Sequence, residues 1–322
     1  MQALVLTELA GPQALRARDI AEPPSDGRVL IEVRASGVCY PDLLLTYGRY
    51  QVRAEPPFVP GNEVAGVVLD APVGSGVRAG DRVIAVPSLG GYAERVAVDP
   101  AFVLPLPPEL DFAGGAALLA NHQTVYFALH RRAGLAAGET VLVLGSAGGV
   151  GSAAIQVAKA LGARVLAGVH REGAEEFLRG LGADEVVPLR DGWPDRVREL
   201  TVGRGVDVVV DPVGGAVFDD AVRVLAPEGR LIVLGFAGGG IPQIKVNRLL
   251  LRNASIVGAG WGEFLRTRPQ ALAETAAALA ALVGEGLRPP VTVRYPLARG
   301  ADALRDLEAG RVLGKAVLLP GR

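Results

Sequence analysis

The chain has 322 residues, of which 50% are hydrophobic, and this is enough for two domains that each have a core. Its formal net charge is −1 with both signs interspersed, which argues against nucleic acid and anionic membranes as partners. The start has no basic, apolar leader, and no apolar run approaches the ~20 residues that span a bilayer, so we expect a cytoplasmic protein.

The first third of the chain predicts a β-rich domain. Short alternating or apolar runs, each closed by Gly, Pro, Asp or Ser, recur at Gln2–Leu6, Val29–Val33, Ala65–Leu69, Arg82–Ala85 and Glu94–Val98. Short strands with proline-rich links indicate a partly open barrel. A short helical turn and loop, Cys39–Tyr50, interrupts them. Cys39 is the only cysteine, which excludes an internal disulfide and a multi-cysteine zinc site.

A helical pattern follows from Asp111 to Arg132, with a polar break at residues 121–124. Such a break is either a gap between helices or the lining of a cleft.

The stretch from Gly138 to Lys159 is typical of a dinucleotide-binding start. Val141–Leu144 predicts a strand buried on both faces, Gly145–Gly151 a glycine-rich turn, and Ser152 onward a helix. Gly148 and Gly151 meet the spacing G-x-G-x-x-G, but its first glycine is replaced by serine. In this motif the turn lets the backbone approach a pyrophosphate, and the helix N-terminus holds that anion. The residues expected to bind it are Ser146, Ala147, Gly148, Gly149, Val150 and Gly151.

The next strand, Arg164–Val169, bears on the choice of cofactor. Its end should carry an acid if the ribose 2′-OH of NAD is bound, and it carries His170 and Arg171 instead. Their positive charge favours the 2′-phosphate of NADPH. Two alternatives stay open: Glu172 turned inward could replace the missing acid, and Arg171 could be a solvated loop charge.

The remaining chain alternates strands with helices, which predicts a parallel sheet covered by helices on both faces. The predicted strands are Glu185–Val187, Asp207–Val210, Arg230–Gly235 and Ala254–Gly258, and the predicted helices are Ala174–Leu181, Pro194–Leu200, Val217–Leu225 and Gln270–Gly284. Such sheets bind ligands at the carboxyl ends of strands. This selects Val213, Gly214, Phe236 and Ala237 as cleft residues. Strand-like Val291–Tyr295 and Ala316–Leu319 return the chain to the first domain.

With its serine and glycines at these spacings, the stretch from Gly138 to Lys159 resembles the quinone oxidoreductase (zeta-crystallin) signature of the zinc-free medium-chain dehydrogenase/reductases. Segments such as PFVPGNEVAGVV, GGYAERVAV and GKAVLL resemble the family in the right order. The resemblance implies an α/β protein with a GroES-like catalytic domain, residues 1–115 and 290–322, and a Rossmann NADPH-binding domain, residues 116–289. It also implies a homodimer joined through Rossmann strands, and places Lys315 with the cofactor-binding residues.

The resemblance also indicates whether the chain has the ligands of a catalytic zinc ion. Zinc-dependent relatives ligate the catalytic metal with Cys, His and a third residue. Cys39 stands at the first position, but Asn62 occupies that of the His, and an amide is a poor zinc ligand. We therefore expect no metal.

Without a Lewis acid, charge that develops on a reduced carbonyl must be met by hydrogen-bond donors. Tyr50 matches a family tyrosine near the substrate, although a tyrosine packed on the barrel rim is an equal alternative. Thr124 matches a threonine near the nicotinamide, and Cys39 replaces an Asn of the nicotinamide pocket. The family's 2′-phosphate lysine and tyrosine fall at Ala174 and Leu189, so Arg171 with Arg190 would have to substitute.

These inferences predict an NADPH-dependent quinone reductase whose acceptor pocket is shaped by loops near Tyr50, Trp261 and Phe264. One alternative is reduction of the C=C bond of an alkenal, enone or acyl thioester. Another is an NADPH-binding protein without useful turnover.

Overall fold

The computed structural model describes residues 1–321. Contacts divide the chain into two compact units: unit 1 comprises Met1–Ala120 and the segment that begins at Pro269, and unit 2 comprises Asn121–Arg268. No helix of residues 1–321 is long and apolar enough to cross a bilayer.

The strands and helices are numbered in chain order. The strands are β1 (Gln2–Leu6), β2 (Leu15–Asp19), β3 (Val29–Val38), β4 (Val64–Asp70), β5 (Arg82–Ala85), β6 (Arg95–Val98), β7 (Val103–Pro105), β8 (Thr140–Val143), β9 (Arg164–Val169), β10 (Glu185–Pro188), β11 (Val206–Asp211), β12 (Leu225–Val233), β13 (Ser255–Gly258), β14 (Val291–Pro296) and β15 (Lys315–Leu319). The α-helices are α1 (Tyr40–Thr46), α2 (Phe112–Gly115), α3 (Thr124–Tyr126), α4 (Gly149–Ala160), α5 (Glu175–Gly180), α6 (Trp193–Leu200), α7 (Phe218–Arg223), α8 (Asn247–Leu250), α9 (Trp261–Thr267), α10 (Ala271–Gly284) and α11 (Gly300–Glu308).

Unit 1 is built on a seven-stranded sheet. Its strand order is β14-β15-β3-β4-β5-β7, with β6 also paired to β3, and all of these pairs are antiparallel except β14 with β15. One core cluster lies along β3 and β4, and another joins β1, α11 and β15. The β-rich prediction for this part of the chain is confirmed. The final strand enters the sheet directly beside β3, which brings Lys315 next to the start of α1.

Unit 2 is built on a parallel sheet of six strands in the order β10-β9-β8-β11-β12-β13. The central strands β8, β9 and β11 are almost wholly buried, which explains their continuous runs of β-branched residues. The predicted doubly wound arrangement is confirmed. Because all six strands are parallel, the turns that follow β8, β9, β11 and β12 lie at one edge of the sheet.

The sequence pattern misplaced some elements. The helix predicted from Val217 ends at Arg223, and β12 begins at Leu225 and not at Arg230. The helical region after Asp111 is divided, since α2 covers only four residues and π-helical turns cover Leu119–Gln123 and Phe127–Arg132. β2 was not predicted because it is exposed and charged, and only its pairing with β1 makes it a strand.

Candidate functional site

A tight turn follows β8 and is shaped by glycines. Gly145 has φ +58°, and a Cβ there would lie 2.8 Å from a methyl of Val213. A Cβ on Gly151 would lie 2.2 Å from the carbonyl oxygen of Gly145. Real Cβ atoms do not come this close, so both positions require glycine. Gly145 therefore supplies the tight turn that the dinucleotide motif usually takes from its first glycine, although the spacing G-x-G-x-x-G predicts that glycine at position 146.

Ser146 fastens this turn to the neighbouring strand. Its side chain is buried, and Oγ donates to the carbonyl oxygen of Gly168 in β9 over 2.9 Å, while its backbone N–H donates to the same oxygen. The hydroxyl is therefore committed inside the protein. The backbone N–H is committed as well, so of the polar groups of this residue only the carbonyl oxygen is left for a ligand.

The helix that follows opens with small residues. Gly148 is the N-cap of α4 and offers no side-chain cap, and Gly149 and Val150 form its first turn. The amides of this turn have no intrahelical acceptor, and together with the helix dipole they form a site suited to an anion. The side chain of Asn121 lies against Gly149, where a Cβ would be 2.5 Å from Nδ2. Sequence reasoning noted the polar break that contains Asn121 but did not assign this contact.

The residues after β9 give the adjacent surface its charge. His170 is exposed and Arg171 half-buried. Glu172 and Arg190, both strongly exposed, approach each other to 3.5 Å between Oε1 and a guanidinium nitrogen. Arg190, which was predicted to bind the 2′-phosphate, thus faces Glu172, the acid that was the alternative ligand of the ribose hydroxyl. An exposed pair at this distance is weak and can be rearranged by a ligand.

The turns after β11 and β12 are joined to each other. Asp211 at the end of β11 accepts hydrogen bonds from the backbone N–H groups of Val213 and Gly214, both at 2.8 Å. Ala237 N–H donates to the carbonyl oxygen of Pro212, and the Phe236 ring lies against Gly214. The structure thus brings together the four residues that the strand-end rule selected, Val213, Gly214, Phe236 and Ala237. Burial raises the pKa of Asp211, whose role in shaping the turn was not predicted.

Unit 1 contains a buried ion pair that sequence reasoning did not find. Lys315 Nζ donates to Glu63 Oε2 over 2.8 Å and to Cys39 Sγ over 3.0 Å, and both charged side chains are at most 3% exposed. The second oxygen of Glu63 accepts from the backbone N–H of Ala120. Gly37 makes room for the pair, because a Cβ there would lie 2.6 Å from Glu63 Oε2. The Cys39 thiol is within 3.5 Å of the same oxygen.

Electrostatics keep Lys315 charged and Cys39 neutral. Burial raises the pKa of the Cys39 thiol well above its usual value, and the Lys315 ammonium only partly opposes this. Burial lowers the pKa of Lys315, but the Glu63 carboxylate and the hydrogen bonds that the ammonium donates outweigh it, so the net shift is upward. The cluster therefore holds one ammonium, one carboxylate and one thiol.

Asp42 forms the next layer of this cluster. Its Oδ2 accepts from the backbone N–H of Cys39 and from the hydroxyl of Tyr92, both at 2.9 Å, and the side chain is fully buried. Burial raises the pKa of Asp42 to about 6, although both hydrogen bonds act in the opposite direction. The bond from Cys39 N–H caps the first turn of α1 and holds Cys39 in place, and the bond from Tyr92 fixes the carboxyl group.

The residues near Cys39 do not suit a catalytic zinc ion. The Lys315 ammonium lies 3.0 Å from Cys39 Sγ, and a divalent cation bound to this sulfur would sit against a buried positive charge. Asn62 offers an amide where a zinc site needs imidazole or thiolate. Residues 1–321 contain no group of three or more His, Cys, Asp or Glu side chains that could hold a metal ion.

The two other predicted catalytic residues lie at element ends. Tyr50 is half-buried in the loop after α1 of unit 1, and Thr124 is half-buried at the start of α3 in unit 2. Both take part in interactions with neighbouring residues.

Trp261 and Phe264, which were predicted to shape the acceptor pocket, belong to an aromatic cluster in unit 2. Their rings pack on Phe127 with centroid distances of 5.2 and 4.8 Å. Phe127 lies three residues after Thr124 and on the same side of the helix.

Comparisons with known proteins agree with this geometry. Residues 25–108 match the alcohol dehydrogenase GroES-like domain, and residues 149–279 match the zinc-binding dehydrogenase domain. Human quinone oxidoreductase is 34% identical over 328 residues, covering 99% of this chain and 98% of its own.

Two solved structures are similar over nearly the whole chain. A probable oxidoreductase from Mycobacterium abscessus is 56% identical with a TM-score of 0.93, covering 99% of both chains. The quinone oxidoreductase from Thermus thermophilus, also solved in complex with NADPH, is 36% identical with a TM-score of 0.85, covering 99% of this chain and 100% of its own.

A chain that combines a nucleotide-type turn on a parallel sheet with a GroES-like unit is an oxidoreductase of the medium-chain dehydrogenase/reductase class. Within that class, the chain belongs to the quinone oxidoreductase family, as its sequence motifs predicted.

Proposed function

We propose that this protein is an NADPH-dependent quinone oxidoreductase. The observation that carries the proposal is the turn at Gly145–Gly151, whose free amides suit a pyrophosphate and which is followed after β9 by His170 and Arg171 in place of an acid. The Thermus thermophilus relative, a quinone oxidoreductase solved with NADPH, supports both cofactor and acceptor.

When bound, NADPH supplies the hydride, and the protein supplies position and charge. We assign the pyrophosphate to the turn Ser146–Gly151, with the amides of Ala147, Gly149 and Val150 as its donors, because those of Ser146 and Gly148 already donate to backbone carbonyls. We assign the 2′-phosphate to His170, Arg171 and Arg190. The remaining cofactor contacts are Val213, Gly214, Phe236 and Ala237, and Thr124 is the residue at the nicotinamide. All of these residues fall within residues 116–289, which we propose as the nucleotide-binding domain; the compact unit that contains them is Asn121–Arg268.

Tyr50 is the proposed donor that orients or protonates the acceptor, because a phenol is a better hydrogen-bond donor than a thiol. Cys39 stays a predicted catalytic residue, although its sulfur already accepts from Lys315. A direct bond from Lys315 to the cofactor would require this ammonium to leave Glu63 and Cys39. Its place among the cofactor-binding residues therefore stays a prediction.

A second candidate activity is reduction of the C=C bond of an alkenal, enone or acyl thioester. Among these acceptors, an acyl thioester with an anionic carrier is favoured by two arginines at the Phe264 ring, because quinones, alkenals and enones offer no charge for them to bind.

We also propose that the protein is a homodimer. β13 is the edge strand of the parallel sheet, and four apolar side chains nearby in the sequence, Ile241, Val246, Leu250 and Leu251, are between 73% and 80% exposed. An apolar region beside an unpaired strand edge is typical of a subunit interface, and a second copy would extend the sheet. Leu250→Glu/Leu251→Glu should give a monomer in light scattering, whereas an unchanged mass would contradict this interface.

The test of the main proposal is a panel of acceptors in which NADPH oxidation is followed with quinones beside alkenals. We expect turnover of quinones, and Tyr50→Phe should reduce turnover of alkenals more strongly, because a proton must reach carbon. Metal analysis of the active protein should find no stoichiometric zinc. NADPH binding without turnover of any acceptor would favour the non-catalytic alternative.

A further inference from the structure

One aromatic ring of unit 2 is approached by two guanidinium groups. The guanidinium carbon of Arg131 lies 4.8 Å from the centroid of the Phe264 ring, and that of Arg268 lies 6.0 Å from the same centroid. Both arginines are exposed. Stacking on a ring orients a guanidinium and leaves its N–H edge directed to solvent.

Neither of these arginines is neutralised within the protein. Among residues 1–321, no carboxylate pairs with Arg131 or Arg268, and the nearby Glu263 pairs with Arg266. Arg299 shows the contrasting case, because it lies over the Tyr295 ring at 6.0 Å and its Nε donates to Asp302 over 2.8 Å. Two unneutralised charges at one ring repel each other, and an anion bound by both would reduce that repulsion.

The surrounding sequence strengthens the positive charge. The segment 121–138 contains no acidic residue and ends its helical part with His130, Arg131 and Arg132. Arg132 is used inside the protein, since its Nε donates to the carbonyl oxygen of Gly258. The formal net charge of the chain is −1, so this local excess is a property of the patch and not of the whole surface.

The patch is joined to the proposed nicotinamide residue by one helical segment. Thr124, Phe127 and Arg131 follow each other at spacings of three and four residues, which places them on one face. Phe127 also packs on Phe264, so the helix and the ring that orients both arginines are in direct contact.

We propose that Arg131 and Arg268 form a subsite for a phosphate on the tail of the acceptor. A phosphate matches two guanidinium edges better than a single carboxylate does, because it offers three oxygens and can be held by two bidentate contacts. Of the acceptors considered above, an acyl thioester of coenzyme A carries such a tail, whereas a simple quinone or alkenal does not. The placement of the tail relative to Thr124 rests on the proposed function, but the phosphate subsite itself does not.

The direct test uses coenzyme A as the probe on protein saturated with NADP⁺, so that the dinucleotide site is filled. Calorimetric titration should show binding to the wild-type protein, weakened about tenfold or more in Arg131→Gln/Arg268→Gln because two charged hydrogen-bond partners are lost. Arg299→Gln is the matched control, since it also removes an exposed guanidinium from an aromatic ring, and it should bind coenzyme A as the wild type does. Inorganic phosphate should compete with coenzyme A.

A kinetic arm compares 2-hexenoyl-CoA with 2-hexenal. The double variant should raise KM for the thioester about tenfold and leave KM for the aldehyde unchanged. Absence of coenzyme A binding to the wild type, or equal binding by the double variant, would overturn the subsite, as would an equal rise of KM for both acceptors. If neither acceptor is reduced, the proposed activity on conjugated carbonyls fails, and the titration still decides the subsite.

Discussion

Lys315 Nζ lies 3.0 Å from Cys39 Sγ and 2.8 Å from Glu63 Oε2, in a part of unit 1 that excludes solvent. The pair links β15 to the residue before α1 and to the segment before β4. Because Glu63 also accepts from the N–H of Ala120, the carboxylate holds the last residue of unit 1 before the chain enters unit 2. The ion pair and its hydrogen bonds thus connect four segments of the chain.

Lys315→Met should strongly destabilise unit 1. Removing the ammonium leaves the Glu63 carboxylate buried without a counter-charge, which typically costs about 3–5 kcal/mol. In Lys315→Met/Glu63→Gln the unpaired charge is gone, and we expect part of the loss to be recovered, with a coupling on the order of 1–3 kcal/mol. Amide hydrogen exchange of β3 and β15 measures the opening free energy locally. Additive effects of the two substitutions would contradict this account.

Asp42 should make the stability of unit 1 depend on pH. Its pKa is about 6 in the folded protein and about 3.9 in an unfolded chain. The folded state therefore binds more protons between these values, and its stability falls as the pH rises from about 4 to about 6. Asp42 makes its full contribution to the free energy of unfolding below pH 4. About 3 kcal/mol of this free energy is lost once the pH has risen above 6.

Asp42→Asn isolates this effect, because the amide oxygen can still accept from Cys39 N–H and Tyr92. Opening free energies of β3 should be compared between wild type and variant at each pH, so that the other titrating groups cancel. Between pH 4 and pH 6, the opening free energy of β3 in the wild type should fall relative to that in Asp42→Asn. A difference that is flat with pH would rule out a raised pKa at Asp42.

The features that sequence predicted best are those that local chemistry dictates. The turn at Gly145–Gly151 was recognisable because only glycine tolerates such close backbone approach. The cluster at Cys39 was not recognisable, because 276 residues separate Cys39 from Lys315. The sequence around each of these two residues gives no indication of an ion pair. Ser146 was read as a replaced glycine, yet its hydroxyl reaches a carbonyl of β9, a bond that depends on the register of two parallel strands.

Substitutions at two glycines of the turn should distinguish an effect on folding from an effect on NADPH binding. Gly151→Ala places a Cβ 2.2 Å from a backbone oxygen, so we expect a lower melting temperature. Gly148 has room, since the nearest atom to an added Cβ is 3.5 Å away and its φ of −85° suits any residue. Gly148→Ala should therefore keep the melting temperature but weaken NADPH binding, roughly tenfold or more, by obstructing the approach of the pyrophosphate. Equal NADPH affinity in Gly148→Ala and wild type would place the pyrophosphate elsewhere.

Arg171 should determine the preference for NADPH over NADH. A hydrogen bond to a charged group contributes about 1.5–3 kcal/mol, so Arg171→Ala should weaken NADPH binding on the order of 10–100-fold and leave NADH binding almost unchanged. Fluorescence titration with both dinucleotides measures this. Glu172→Gln is the matched control: if Glu172 held the ribose hydroxyls, this substitution would weaken NADH, whereas with Arg171 as the phosphate ligand it should leave NADPH binding equal or tighter. Loss of NADH and NADPH affinity to the same degree in Arg171→Ala would show that this side chain does not discriminate between them.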